Sequence, residues 1–233
     1  MTVALETLGR RYLAPLPGLD SRWLSEALGE VLTKVDAMLP RFTTTFPAAS
    51  ATDGRYPAVE KVDWTEGFWT GMLWLAWEVT GDDKYRTVAE SLLDSFEERL
   101  DKQIKVDTHD LGFLYLLSCV NAWKLTGNLR ARGLALRAAE LLYRRFNETA
   151  GVIQAWGDLN DPARQGRMII DCNLNVPLLF WAANETGNAA WREAATRHLA
   201  QAARYLVRED ASSFHTFYMD VHSGQPLRGD THQ

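Results

Sequence analysis

The chain has 233 residues, 46% of them hydrophobic and 11% aromatic, which is enough apolar material for one domain with a sizeable core. The formal net charge is -5 and the lysines and arginines are scattered singly, so no basic face for nucleic acid is expected. No stretch has the length of a membrane span, and Met1–Leu13 lacks the apolar core of a secretion signal. Cys119 and Cys172 lie inside apolar segments, a usage that fits a reducing compartment. We therefore expect a soluble cytoplasmic protein in which neither cysteine is a nucleophile.

The first predicted helix covers residues 22–39, where apolar side chains recur at the spacing of an amphipathic helix and Pro40 closes the pattern. A loop rich in Thr, Ala, Gly and Pro follows over residues 42–62. Asp63 and Glu66 then have the spacing of a capping box, ahead of a segment that is apolar on nearly all faces. This pattern predicts a helix that is buried inside the domain.

An internal repeat organises the rest of the chain. Three segments that are apolar all round predict inner helices, and each is followed by a stretch with a one-sided apolar stripe, which predicts an outer helix. Every inner segment ends in Thr-Gly followed by Asp or Asn, and an Arg and an Ala stand five and eight residues beyond each glycine. The three glycines are Gly81, Gly127 and Gly187. The sequence therefore predicts an array of helical hairpins.

Two all-α architectures contain such hairpins. In an open solenoid one helix of each pair faces solvent, so neither helix needs to be apolar on every side. In a closed α/α toroid the inner ring is surrounded by the outer helices, and inner helices that are apolar all round are expected. We therefore predict a single domain of the α/α-toroid class over residues 1–233.

One rim of this toroid is expected to carry the chemistry. The turns around Thr-Gly are short, whereas the connections from outer to inner helices are long, and long loops in compact domains are usually functional or disordered. These connections cover residues 42–62, 147–170 and 208 to the end. Counting back from the glycines places Trp64, Asp110 and Asp171 at the mouth ends of the inner helices. The positive ends of the helix dipoles there suit an anionic ligand.

Acidic residues at helix N-termini are common as caps, and Asp63 is assigned to that structural class. Asp110 and Asp171 favour a catalytic interpretation. Asp110 follows Asp107 and His109, which is more charge than a cap needs. Asp171 interrupts an apolar run, a setting that favours the protonated form of a carboxyl group and suits a general acid.

Other polar and aromatic residues have plainer interpretations. His198 lies on the apolar stripe of an outer helix and is assigned to the core, as are the tryptophans at inner-helix spacing. Trp64 and Trp156 stand at or beyond the helix mouths, where an aromatic face can stack on a sugar ring, although a packed loop tryptophan fits the pattern as well. His109 and Asp110 are adjacent rather than at helical ligand spacing, and no phosphate-binding loop occurs, so we expect no metal and no cofactor.

Six short segments follow one another from Trp64 to the last residue. They read WTEGFW at 64–69, THDLGF at 108–113, IQAWG at 153–157, GRMIIDC at 166–172, SFHTFY at 213–218 and RGDTHQ at 228–233. Together they resemble the unsaturated glucuronyl hydrolases, glycoside hydrolase family 88. Six motifs in the same order make this resemblance highly specific.

The resemblance implies a six-hairpin α/α barrel that hydrolyses lyase-generated oligosaccharides of the glycosaminoglycan type. Such enzymes remove the unsaturated uronic acid at the non-reducing end by hydrating the double bond between carbons four and five. One Asp donates a proton to carbon four and helps a water attack carbon five, after which the hemiketal opens and releases the linked sugar.

Carried over residue by residue, the resemblance makes Asp171 the general acid and base. Asp110 becomes the partner carboxylate, which binds ring hydroxyls and keeps Asp171 protonated. The residues implied to contact the unsaturated oligosaccharide are Trp64, His109, Trp156, His215 and Gln233.

The repeat supplies three inner helices where six are needed to close the ring, and the chain stops inside the last motif. This predicts about the N-terminal half of the toroid, with an uncovered apolar flank on its inner helices. These 233 residues alone are then expected to be poorly soluble or inactive, or to be a fragment of a longer chain.

Three other functions fit parts of the pattern. An unsaturated rhamnogalacturonyl hydrolase shares the barrel and the acid/base Asp, and a sugar epimerase on the same toroid would instead use a pair of histidines. A helical-repeat binding module would explain the hairpins without catalysis. It would not explain why charged residues cluster on one rim.

Overall fold

The computed structural model describes residues 20–59 and 63–231. These residues belong to two compact units, one ending at Pro40 and the other beginning at Arg41. Within the described ranges, no helix combines the length and the apolar character needed to cross a membrane.

The first unit contains one long helix, α1, which spans Ser21–Met38. Its N-cap residue, Asp20, accepts a hydrogen bond from the amide of Trp23. A 3-10 turn at Leu39–Arg41 follows the helix. The amphipathic helix predicted over residues 22–39 is therefore confirmed.

The second unit consists of three helical hairpins. Its inner helices are α2 (Glu66–Thr80), then α5 (Leu111–Tyr115) continued by a π-helical turn (Leu116–Val120) and α6 (Asn121–Thr126), and finally α8 (Cys172–Asn175) continued by α9 (Pro177–Thr186). The outer helices are α3 (Asp83–Ser91) with α4 (Leu93–Asp101), α7 (Leu129–Tyr143) and α10 (Ala189–Tyr205). Neighbouring inner helices pack on one another in chain order, with outer helices packed behind them. The predicted all-α class of repeated helical hairpins is confirmed.

The Thr-Gly-Asp/Asn repeat forms the turn of each hairpin. Gly81, Gly127 and Gly187 take φ values of +70°, +71° and +77°, in the left-handed region that glycine enters without a steric penalty. The preceding threonine hydroxyl donates to the carbonyl oxygen four residues back, and the following Asp or Asn accepts from an amide in the first turn of the outer helix. The glycine amide, which donates to the carbonyl four residues back, and the Asp or Asn side chain thus satisfy backbone groups that the helix ends leave unpaired.

The Arg and Ala of the repeat attach the outer helix to the inner one. In the first two hairpins the arginine lies over an inner-helix tryptophan, with Arg86 5.3 Å from the Trp77 ring centre and Arg132 5.7 Å from that of Trp123. Both tryptophans are half-buried at the turn, so their assignment to the core was wrong. The alanines, in contrast, are completely buried: Ala89, Ala135 and Ala195.

Two glycines allow neighbouring inner helices to touch backbone to backbone near the helix mouths. A Cβ atom added to Gly112 would lie 2.2 Å from the Cα of Asn175 on the third inner helix. A Cβ atom added to Gly67 would lie 2.7 Å from the Cα of Leu114 on the second. Since real Cβ atoms do not approach so closely, no other residue fits these two seams without moving a helix.

One face of α2 remains apolar and exposed. Its side chains are 38% to 58% exposed and follow the helical spacing of a continuous stripe: Phe68, Met72, Leu75 and Val79. The uncovered apolar flank predicted from the sequence is thus observed on the first inner helix.

The long loops contain short antiparallel strands instead of wholly irregular chain. The strands are β1 (Phe46–Pro47), β2 (Ala58–Val59), β3 (Phe146–Asn147), β4 (Val152–Ile153), β5 (Arg167–Ile169), β6 (Thr216–Met219) and β7 (Pro226–Asp230). β1 pairs with β2, β3 with β4, and the last three form a sheet in the order β5-β6-β7. This pairing satisfies backbone groups where loops pack together, and it places two of the three long loops side by side.

The seam at Gly112 predicts a stability difference between two glycine variants. Gly112→Ala should lower the free energy of unfolding by at least about 2 kcal/mol, because the new methyl group meets the backbone of the next helix. Gly133→Ala, in the middle of α7 and with open space around it, should raise that free energy by roughly 0.5 to 1 kcal/mol. Urea unfolding of both variants measures the difference, and equal changes would contradict the close approach.

Candidate active site

His109, Asp110 and Asp171 meet where the second and third inner helices begin. The Nε2 atom of His109 lies 3.3 Å from Oδ1 of Asp110 and 3.5 Å from Oδ1 of Asp171. One nitrogen or oxygen from each of the three residues lies within 4.8 Å of the other two. The two carboxylates predicted to act together are therefore adjacent, although 60 residues separate them in the chain.

Neither carboxylate acts as a helix cap. Asp110 occupies the N-cap position of α5 and Asp171 that of α8, yet neither side chain makes a capping hydrogen bond. The Oδ2 atom of Asp110 instead accepts a hydrogen bond from the Thr108 hydroxyl at 2.8 Å. In the part of the chain that the structure describes, Oδ1 of Asp171 is buried without a hydrogen-bond partner. The capping interpretation is therefore wrong for both residues.

The capping box predicted at Asp63 and Glu66 forms only in part. The Glu66 carboxylate accepts a hydrogen bond from the amide of Asp63, as in a capping box. Helix α2, however, begins at Glu66 with Thr65 at its N-cap, and the carboxylate of Asp63 instead lies 3.5 Å from the amino group of Lys105. The assignment of Asp63 as a helix cap was wrong because the helix begins two residues later than a cap at Asp63 requires.

Burial raises the pKa of Asp110, and the nearby Asp171 carboxylate acts in the same direction. His109, the Thr108 hydroxyl and Arg99 oppose this change. The Asp110 side chain is 22% exposed and that of Asp171 is 35% exposed. The sequence suggested that Asp171 is the more buried carboxyl group, but in the structure Asp110 is more buried than Asp171.

Trp156 is held beside His109 by a ladder of backbone hydrogen bonds. The amide of His109 donates to the carbonyl of Ala155 at 2.6 Å, and Thr108 forms an isolated antiparallel bridge with Trp156. The amide of Ala155 in turn donates to the carbonyl of Arg167 in β5 at 2.8 Å. The guanidinium carbon of Arg167 lies 3.9 Å from the centre of the half-buried Trp156 ring. One face of the ring is therefore covered by a cation, and the ring as a whole is partly open to solvent.

Arg145 fixes this loop from within the protein. Its side chain is buried and donates to the carbonyls of Gln154 at 2.9 Å and Gly157 at 3.0 Å, on either side of Trp156. Burial lowers the pKa of Arg145 to about 10, partly offset by Asp107 and Asp110, so the guanidinium remains charged at neutral pH. It therefore also places a positive charge behind the site.

Arg99 likewise fixes, by hydrogen bonds to their carbonyl groups, the loops that precede the first two inner helices. It donates to the carbonyls of Asp63 at 2.7 Å and Lys105 at 2.9 Å, and to the Glu66 carboxylate at 3.2 Å. Both side chains of this ion pair are almost completely buried, and burial raises the pKa of Glu66 to about 7. Sequence reasoning missed Arg99, although it lies three residues after Phe96 and therefore on the apolar stripe of the outer helix.

Asn175 joins the two helices that carry the carboxylates. It lies one helical turn after Asp171, is buried, and accepts a hydrogen bond from the amide of Phe113 at 3.1 Å. That amide belongs to the first turn of α5, where no carbonyl of the helix is available to it. A polar residue inside an otherwise apolar segment was the available signal, and sequence reasoning did not use it.

The remaining predicted site residues lie around this centre with one exception. The Trp64 ring is 47% exposed and contacts the rings of Phe68 and Phe113 edge-on. The carbonyl of His215 accepts a hydrogen bond from the amide of Ile170 at 2.9 Å, which places His215 beside Asp171. Gln233 lies outside the described residues.

Three buried titratable residues have structural roles. The Nδ1 atom of His198 accepts a hydrogen bond from the amide of Ile153 at 2.9 Å, and burial, followed by the charge of His109, lowers the pKa of His198 to about 3. Burial raises the pKa of both Cys119 and Cys172 to about 12. The predictions that His198 belongs to the core and that the cysteines are not nucleophiles are thus supported.

Among the described residues, one group of side chains is close enough together to hold a cation. It consists of His109, Asp110 and Asp171. The sequence predicted no metal site because His109 and Asp110 are adjacent in the chain. Residue spacing within one helix could not reveal this arrangement, because Asp171 belongs to the next inner helix.

The fold and the site together define a class: α/α-hairpin domains with paired carboxylates and aromatic side chains at the helix mouths, an arrangement typical of carbohydrate-active proteins. Residues 34–227 match the family described as Glycosyl Hydrolase Family 88. The chain belongs to that family.

Alignments with named hydrolases cover most of the length of this chain. It is 47% identical over 208 residues to the unsaturated glucuronyl hydrolase of Bacillus sp. (strain GL1), covering 89% of this chain and 55% of that protein. It is 42% identical over 218 residues to the unsaturated chondroitin disaccharide hydrolase of Streptococcus pneumoniae (strain ATCC BAA-255 / R6), covering 94% and 55%. The crystal structure of the Bacillus sp. GL1 enzyme, described as responsible for the degradation of glycosaminoglycan, has a TM-score of 0.86 at 46% identity and covers 90% of this chain and 55% of that one. The chain spans about half the length of the curated relatives it matches.

The hydrogen bond from Thr108 predicts how the acidity of Asp110 can be changed. Thr108→Val removes a donor that favours the ionised carboxylate, so the pKa of Asp110 should rise and its protonated form should persist to higher pH. Carbon-13 NMR titration of the carboxyl groups measures this, with the Asp110 signal assigned by its loss in Asp110→Asn. Thr196→Val, on the exposed side of α10, is the control and should leave that titration unchanged. An unchanged or lower pKa in Thr108→Val would contradict the role of the hydroxyl.

Proposed function

We propose that this protein is a glycoside hydrolase that removes the unsaturated uronic acid from the non-reducing end of glycosaminoglycan-type oligosaccharides. The observation that carries the proposal is the meeting of Asp110 and Asp171 beside His109 at the helix mouths. The activities named for the Bacillus and Streptococcus relatives support the same substrate class.

The chemistry begins at a double bond that is electron-rich because carbon five carries the ring oxygen. Asp171 donates a proton to carbon four, and the resulting positive charge is shared between carbon five and that oxygen. Asp171, now a carboxylate, takes a proton from water as the water oxygen bonds to carbon five. The hemiketal then opens at its bond to the ring oxygen, leaving a ketone at carbon five and a hemiacetal at carbon one. The hemiacetal expels the linked sugar as an alcohol and becomes an aldehyde.

The closeness of the two carboxylates favours this route over ordinary inversion at carbon one. Inverting glycosidases separate their carboxyl groups by about 6.5 to 9.5 Å so that a sugar and a water fit between them. Here one oxygen of Asp110 lies within 4.8 Å of one oxygen of Asp171. Burial, and to a smaller extent the Asp171 carboxylate, raise the pKa of Asp110, which favours a proton beside the substrate. In this arrangement Asp110 keeps the proton available and binds ring hydroxyls.

Substrate binding is assigned to the groups around the pair. The partly exposed ring of Trp156 would stack on a sugar ring, and the Arg167 cation against it would favour the uronate's negative charge nearby. Trp64 adds an exposed aromatic ring that contacts Phe113, three residues after Asp110. His109, His215 and Gln233 complete the proposed set of substrate-binding residues.

A cytoplasmic location is part of the proposal. Cys119 and Cys172 are both unpaired and buried, as is usual for thiols in a reducing compartment. The substrate would then be an oligosaccharide small enough to have been imported into the cell.

Replacing the proposed acid tests the mechanism directly. Asp171→Asn should reduce turnover by roughly 10²- to 10⁴-fold, because the amide cannot deliver a proton to carbon four. Loss of the ultraviolet absorbance of the substrate double bond measures the rate. Asp94→Asn, which changes an exposed carboxylate on α4 in the same way, should retain the parental rate. Retained turnover in a folded Asp171→Asn variant would remove Asp171 from its assigned role.

A panel of substrates tests the proposed specificity. Unsaturated disaccharides from chondroitin, hyaluronan and heparin should include the best substrate, whereas the unsaturated disaccharide from rhamnogalacturonan should be turned over more slowly. The same absorbance assay compares kcat/KM across the four. A preference for rhamnogalacturonan would assign the protein to the alternative hydrolase activity, and no turnover of any member would favour a binding function.

A further inference from the structure

The proposed acid–base steps do not explain why the imidazole of His109 is buried without hydrogen-bond partners. Its side chain is only 1% exposed, and neither ring nitrogen has a hydrogen-bond partner in the part of the chain that the structure describes. A buried polar group without a partner costs free energy, so a ligand that bonds to the imidazole would be favoured here. The Nε2 atom lies close to one oxygen of each carboxylate without forming a hydrogen bond to either.

The distances around Nε2 match those between the ligands of a small cation. Zinc binds imidazole nitrogen and carboxylate oxygen at about 2.0 to 2.2 Å in a tetrahedral arrangement, which puts neighbouring ligand atoms roughly 3.3 to 3.5 Å apart. The two separations from Nε2 are 3.3 and 3.5 Å, and the two carboxylate oxygens lie within 4.8 Å of each other, a distance that rotation of either carboxylate can shorten. The two carboxylates are partly exposed, so an ion could enter from the side on which substrate is proposed to bind.

We infer that His109, Asp110 and Asp171 form an inhibitory binding site for zinc, with water in the fourth position. One imidazole nitrogen and two carboxylate oxygens suit Zn²⁺, whereas Mg²⁺ and Ca²⁺ prefer ligand sets made only of oxygen. The two negative charges balance the charge of the ion. Because zinc binds both carboxylates of the acid–base pair, zinc and the unsaturated uronate exclude each other.

Two features make this a reversible inhibitory site and not that of a resident cofactor. Metal-binding histidines normally donate their second ring N–H to a carboxylate or carbonyl, and Nδ1 of His109 has no such partner among the described residues. Arg99 and Arg145 both interact with Asp110 and oppose a further positive charge nearby. The bound ion is therefore expected to exchange and to be removed by a chelator.

The inference uses the same site as the proposed hydrolase activity but depends only on its geometry. Binding is measured without turnover, so failure of zinc to bind and failure of the activity are separate results. Conversely, an active enzyme that zinc does not affect would overturn the metal site and leave the hydrolase proposal standing.

The test is calorimetric titration of the chelator-treated protein with Zn²⁺, repeated with Co²⁺, whose visible absorption reports tetrahedral coordination. We expect saturable binding of one ion, with the cobalt spectrum of a nitrogen and oxygen site, and no binding of Mg²⁺ under the same conditions. His109→Gln should lose this binding, whereas the exposed control His222→Gln should retain it. Binding that persists in His109→Gln, or is equally lost in His222→Gln, would overturn the assignment.

A second variant covers the possibility that the buried His109 cannot be replaced without unfolding. Asp171 is more exposed, so Asp171→Asn should fold and lose the bound ion. In the parent protein, an unsaturated chondroitin disaccharide should displace Co²⁺ and abolish its tetrahedral spectrum. Simultaneous binding of metal and disaccharide would contradict a shared site.

Discussion

The contact between Gly112 and Asn175 determines the geometry on which the site depends. Because Gly112 has no side chain, the first turn of the second inner helix touches the backbone of the third. Asn175 adds a hydrogen bond to the amide of Phe113 across the same seam. His109 and Asp110 lie just before one side of this contact, and Asp171 lies one helical turn before the other. A side chain at position 112 would therefore separate the carboxylates as well as the helices.

Two buried arginines fix loops of the rim that take no part in the contact between Gly112 and Asn175. Arg99 donates to carbonyls on the loops before the first and second inner helices, and Arg145 donates to carbonyls on both sides of Trp156. Each arginine thereby satisfies backbone oxygens that a buried loop would otherwise leave unpaired. Each also contributes positive charge near Asp110. The same side chains thus support the rim mechanically and stabilise negative charge within it.

The helical hairpins could be predicted from the sequence because their signals are local. A Thr-Gly-Asp turn and a one-sided apolar stripe are properties of neighbouring residues, and the structure reproduces both. The strands of the rim and the role of Asn175 could not be predicted in this way, because their partners are distant in the chain. Arg99 was missed for a different reason. A charged residue on a helix is usually exposed, and only its carbonyl partners explain why this one is buried.

The burial of the two carboxyl groups shows the limit of inferring a side chain's environment from its neighbours in the sequence. Apolar neighbours in the sequence suggested Asp171 as the buried carboxyl, yet folding buries Asp110 more deeply. Under the proposed mechanism, the donor is the carboxyl group that faces the reacting carbon. Asp171 is the more exposed of the two and so the more accessible to substrate. The deeper Asp110, surrounded by His109, Thr108 and two arginines, is better placed to adjust the charge of the pair. The spacing of His109, Asp110 and Asp171 underlies both the proposed acid–base chemistry and the proposed zinc site, so the two proposals rest on one geometry.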